Sequence, residues 1–129
     1  MRILVGLIVA VAVNAILNSK PSGLYCGSLD ISPKGQIDIG IGMPDSHEFN
    51  IEATWISFTS GSVRSGIEHG VPYSYDDSTK YVTVTDTSKL QDLITKIDAP
   101  LKASDLARLR YDGTRLLVVA LKNSLLDQC

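Results

Sequence analysis

The chain holds two cysteines, and they stand almost as far apart as its length allows: Cys26 follows the N-terminal segment and Cys129 is residue 129 of 129. If they pair, both ends of the folded body are pinned together. A loop closed over about 100 residues contributes on the order of 4 to 5 kcal/mol in the chain-entropy picture. Whether they pair depends on the compartment, because disulfides persist where the surroundings are oxidising. Two free thiols or an intermolecular pair are the alternatives.

The N-terminus speaks to the compartment. Arg2 is followed by an unbroken apolar run from Ile3 to Val13, and Val13-Asn14-Ala15 closes it with small side chains. This is the pattern of a signal peptide cleaved after Ala15. As a helix the run rises only about 16 Å, short of the roughly 30 Å of a bilayer core. An uncleaved anchor extended through Ile16 and Leu17 is the competing reading. The expectation is a secreted, extracellular protein without a stable membrane anchor, in which residues 1–15 are removed, 16–23 form an exposed leader and 24–129 fold as one domain. In that setting an even cysteine count favours a Cys26–Cys129 bridge.

Loss of Arg2 leaves eleven basic against fourteen acidic residues, a net charge of −3. Without a Lys or Arg cluster there is no footprint for a phosphate backbone, so nucleic acid is excluded as a partner. The polybasic route to anionic membranes is missing as well.

Along the body, period-two alternation dominates. Ile37, Ile39 and Ile41 alternate with Gln36, Asp38 and Gly40 after a Pro33-Lys34-Gly35 turn, as in a half-buried strand. Phe49, Ile51, Ala53 and Trp55 repeat the pattern, after which Ile56 and Phe58 become the apolar positions; a β-bulge near Trp55 would reconcile the two phases. Glycines at 61, 66 and 70 break up the next stretch into short strands or a mobile loop. Val71–Tyr75 and Tyr81–Thr85 flank a turn at Asp76-Asp77-Ser78 and predict a hairpin, and Arg108–Tyr111 and Arg115–Lys122 do so around Asp112-Gly113. The arm Leu116–Lys122, apolar on both faces, predicts a central, covered strand, and LLDQC a short last one. One helix is expected over residues 88–98, where Leu90, Leu93, Ile94 and Ile97 form a stripe, Ser88 and Gln91 have capping-box spacing and Pro100 follows the end. The fold class is mainly β, an antiparallel barrel or closed sandwich with one amphipathic helix. A Cys26–Cys129 bridge makes the first and last strands neighbours, as barrel closure requires, although a sandwich satisfies the same restraint.

No catalytic set emerges, and the chain is read as a non-enzyme with no cofactor and no metal. The two histidines, His47 and His69, lie outside any HExxH pattern; with Asp45, Glu48 and Glu68 they read as solvated loop residues rather than metal ligands. There is no GxSxG, and Gly40-Ile41-Gly42 lacks the rest of a nucleotide fingerprint. Trp55, Tyr73, Tyr75 and Tyr81 are divided between core packing and a site for a sugar or small molecule.

The order of Gly23-Leu24-Tyr25 on the first strand, PYSYD in the middle and a helix before the last strands resembles small secreted lipocalin-like proteins. Tyr25 stands where that family usually has tryptophan, and the chain is short for it. The resemblance implies an up-and-down barrel with a cavity for a small hydrophobic ligand. Inward positions Ile39, Phe49, Ile51, Trp55, Val82 and Val118 are the candidate lining. The other function considered is a secreted protein-interaction module, such as an effector, inhibitor or surface component, working through the Thr59–Gly70 loop on an extracellular protein.

Overall fold

The computed structural model describes residues 20–45 and 47–129. The expected signal peptide and cleavage site, and the expected leader up to residue 19, lie outside the described residues. Among the described residues no helix is long and apolar enough to cross a membrane.

Eight strands follow in order: β1 (Gly23–Ile31), β2 (Gly35–Met43), β3 (Glu48–Ser57), β4 (Val63–Asp76), β5 (Tyr81–Val84), then helix α1 (Ser88–Ile97), β6 (Arg108–Tyr111), β7 (Leu116–Val118) and β8 (Ser124–Gln128). Each pairs antiparallel with the next, and β8 returns to β1 through Tyr25 opposite Gln128 and Cys26 opposite Asp127, which closes a barrel. Barrel, not sandwich, is therefore the outcome. Cys26 and Cys129 are disulfide-bonded with Cα atoms 5.4 Å apart, so the covalent link lies at the seam of closure. At that seam a Cβ on Gly27 would come within 2.5 Å of the Leu125 carbonyl oxygen. Only glycine lets β1 approach β8 this closely.

In β2 every second residue from Gly35 to Met43 is buried. In β3 the inward set is Phe49, Ile51, Ala53, Trp55 and Ser57, so the alternation runs unbroken past Trp55. The expected bulge there is absent: Ile56 and Phe58 face outward, and Phe58 is 58% exposed. The irregularity lies instead on β4, where the register slips between Phe49 opposite Val71 and Ile51 opposite Glu68. The extra residue is absorbed at His69-Gly70. Gly70 has φ of +69°, and its N–H donates to Asn50 Oδ1 at 3.1 Å. One inserted residue reverses the facing of everything beyond it: Gly66 lies inward before the bulge, Val71 and Tyr73 after it.

The segment expected as short strands or a mobile loop is thus the first half of a single 14-residue strand. Gly66 is there because α1 packs on it; a Cβ would stand 3.0 Å from Leu93 Cδ1 and 3.4 Å from Ile97 Cγ2. The helix buries Leu90, Leu93, Ile94 and Ile97 as its spacing predicted. It starts differently: Ser88 is already helical and makes no side-chain cap. Asp86 Oδ1 accepts the Ser88 N–H at 3.0 Å instead, and Asp98 ends the helix in the left-handed region. The second arm of the Asp112-Gly113 hairpin is also shorter than expected. Strand β7 stops at Val118 and a 3-10 turn, Val119–Leu121, follows. Val119 and Leu121 are half-buried, consistent with a turn that rests on the barrel rather than a strand inside it.

Candidate binding surface

The six inward candidates come together as expected from alternation: Ile39, Phe49, Ile51, Trp55, Val82 and Val118 are all buried and belong to one cluster of core side chains. They share it with bulky neighbours, among them Tyr25, Leu29, Met43, Tyr73 and Tyr111, and with the apolar stripe of α1. Phe49 stacks against Tyr73 with ring centroids 5.6 Å apart, and Tyr75 meets Tyr111 edge-on at 6.3 Å. Trp55 and Tyr81 are elsewhere, the latter under the Arg108 guanidinium at 3.9 Å, so the aromatic residues do not converge on one site.

The phenol of Tyr111 donates to the Gly113 carbonyl at 2.7 Å. Burial, with Tyr25 and Tyr75 close by, pushes its pKa up to about 12 from 10.0. The unfolded chain releases this proton near 10, the folded one only near 12. Stability is therefore complete below pH 10 and falls as pH rises through 12. Thermal unfolding followed across that interval should show a steep alkaline decline that Tyr111→Phe makes shallower; an unchanged profile would remove Tyr111 from the account.

Two of the metal candidates have other partners. Asp45 Oδ1 accepts the N–H groups of His47 and Glu48 at 2.8 and 2.9 Å, while Glu68 is ion-paired with Lys96. No group of three His, Cys, Asp or Glu side chains placed to hold a metal occurs among the described residues.

The principal cavities open at the surface. One, of about 400 Å³, lies at the barrel mouth where Trp55, Ser57 and the β3–β4 turn face the end of α1. Its hydroxyls are engaged with one another, Ser57 with Thr59 at 3.0 Å and Ser60 with Ser62 at 2.9 Å.

Another two lie side by side on the outer wall of β1, β2 and β3, with volumes of about 360 and 430 Å³. Strand register builds this wall in rows. One row runs Asp127, Cys26, Gly40, Glu52, Ile67; the next holds Leu24, Gly42 and Asn50; on the other side lie Ser28, Asp38, Thr54 and Ser65. Gly40 and Gly42 carry no side chain and form the floor of a trough. Leu24 (63% exposed) and Ile67 (46% exposed) form its apolar rims. Glu52 overhangs the floor, since a Cβ on Gly40 would sit 3.4 Å from its Cγ. Asp38, below, accepts from Ser28 Oγ at 2.6 Å and Gln36 Nε2 at 2.8 Å, and these bonds hold its carboxyl below the usual range.

Sequence reasoning missed this trough. In sequence its floor, Gly40-Ile41-Gly42, shows only an incomplete nucleotide fingerprint, and Ile67 falls in the stretch expected as short strands or a mobile loop.

Comparison with solved structures finds the same fold in the crystal structure of a "putative lipoprotein" from Shewanella oneidensis, with a TM-score of 0.56 over 87% of this chain and 93% of that one at 11% identity. No family model and no curated protein sequence matches the chain.

Proposed function

We propose that this chain is a secreted, non-enzymatic interaction module that holds an extracellular protein against the outer wall of its barrel. The observation that carries the reading is the trough between Leu24 and Ile67: large apolar side chains left in water around a concave, glycine-floored surface. Scattered exposed apolar residues are ordinary, but a pair flanking a depression is what a partner's side chain would fill. The half of β4 that β5 does not pair has its His69 and Ile67 carbonyls taken by Lys89 and Lys96 of α1, so a partner docks on faces rather than by strand addition.

The likeness to lipocalin-like barrels is in the order of strands. Where the resemblance implies a ligand cavity, this barrel holds its own buried side chains, Phe49 against Tyr73 with Trp55 and Tyr111 elsewhere in the same core, which favours the interaction reading over a small hydrophobic ligand. Secretion is supported by the Ile3 to Val13 run and by the disulfide. The lipoprotein description of the structural neighbour suggests an envelope setting, but the lipid itself does not carry over. Both cysteines of this chain are bonded to each other, so no thiol is left to acylate.

The test is capture from the extracellular fluid of the source by immobilised protein, comparing the native chain with a Leu24→Asn/Ile67→Asn variant and with a Phe58→Asn/Val63→Asn variant at the β3–β4 turn. The expected result is a partner retained by the native chain and the turn variant and lost, by more than about tenfold, from the trough variant, with thermal stability unchanged in all three. Equal retention by the trough variant would place the interface elsewhere.

A further inference from the structure

The distribution of charge around the barrel says what the partner carries. Strands β8, β1, β2 and β3 are consecutive around the closed sheet, and together they hold Asp30, Asp38, Glu48, Glu52 and Asp127 and not one Lys or Arg. None of these five carboxylates is in an ion pair among the described residues. The three ion pairs found there are Lys80–Asp77, Lys96–Glu68 and Arg115–Asp112, all on other parts of the molecule. The strand cations lie on β4 and β6, as Arg64, Arg108 and Arg110. Two cations of α1, Lys89 and Lys96, reach β4. Lys89 Nζ donates to the His69 carbonyl at 2.6 Å, and Lys96 is held by Glu68 and the Ile67 carbonyl, so both are occupied along β4.

Five of the fourteen acidic residues thus stand on four consecutive strands that hold no basic residue, while the other nine share the rest of the chain with all twelve Lys and Arg. Leaving like charges unneutralised on one face costs folding stability and gains nothing for the fold. Such a face steers and selects an oppositely charged partner, by raising the rate of encounter and rejecting acidic competitors. The trough runs between two of these carboxylates, Glu52 and Asp127, which flank the Cys26–Gly40 pair in a single row.

Resting on the interaction reading above, we infer that the partner is a cationic protein segment, one that places an apolar side chain over Gly40 and Gly42 and Lys or Arg side chains on Glu52 and Asp127.

A synthetic peptide of alternating lysine and leucine, with an alternating glutamate and leucine peptide of equal length as control, probes this without knowledge of the natural partner. The full mature chain is titrated with each by NMR, and affinities are measured at low and at physiological salt. The cationic peptide is expected to shift the resonances of Leu24, Gly40, Gly42, Glu52 and Ile67, to bind more weakly as salt is raised, and to lose about tenfold or more in affinity to Glu52→Gln/Asp127→Asn. Asp92→Asn, a carboxylate of α1 away from the wall, should change nothing. Shifts centred on α1 or spread over all acidic residues, or an unchanged affinity in the Glu52/Asp127 variant, overturn the inference. The capture experiment with the same variant separates the two levels. A natural partner lost on Leu24→Asn/Ile67→Asn but kept on Glu52→Gln/Asp127→Asn leaves the trough as the interface and removes the cationic partner. A partner kept by both variants removes the trough as well.

Discussion

Replacing Cys26 and Cys129 together by alanine is expected to lower the unfolding free energy by roughly 4 kcal/mol, a large share of the stability of a domain this size. The bridge spans 103 residues, so reduction releases nearly the whole folded body from a single closed loop. The native structure concentrates the loss at one place. Strand β8 is joined to β1 by only two residue pairs, and the disulfide lies against them. Without it the barrel seam is the first part to open. Urea denaturation of the double variant against the oxidised native chain measures the difference. A change below about 1 kcal/mol would mean that β1–β8 pairing closes the barrel unaided.

The second large effect belongs to the interior. Phe49 is 1% exposed and in ring contact with Tyr73, so Phe49→Ala should cost about 3 to 5 kcal/mol through lost burial and the cavity it leaves. The same substitution should not alter partner affinity at temperatures where the variant remains folded, because the residue contributes to the wall only by supporting it. Thermal unfolding and the capture assay, run on the same preparation, read both quantities. If Phe49→Ala left stability near native and removed binding, the interior would be a functional cavity and Phe49 part of its lining.

These two expectations separate what the sequence displays from what only the fold assembles. Strand β2, helix α1 and the Asp112-Gly113 turn are visible locally, because each depends on a short-range rule: alternation, a three-and-four stripe, a residue that accepts φ > 0. Gly113 does so at +105°. Strand β4 is hidden by its own glycines. Gly66 and Gly70 look like breakers, yet one makes room for Leu93 and Ile97 and the other absorbs the bulge. Both reasons involve residues about 20 or more positions away, which no window along the chain can contain. Ile56 and Phe58 misled in the other direction: apolar residues suggested a change of phase, when both face outward, Ile56 half-buried and Phe58 exposed. The trough is of the same kind. Cys26, Gly40, Glu52 and Ile67 become neighbours through three strand registers at once. A trace of it is nevertheless legible, since the sequence holds no Lys or Arg between Lys34 and Arg64.

The barrel's interior packing and its bare acidic wall lead to one division of labour, with inside residues for stability and outside residues for recognition. Native mass spectrometry of the protein purified from its own source tests that division most directly. The account predicts the mass of the disulfide-bonded chain, alone or with a bound protein released by salt, and no small molecule. A stoichiometric apolar adduct that survives salt and leaves only when the barrel unfolds would contradict it and return the function to the cavity.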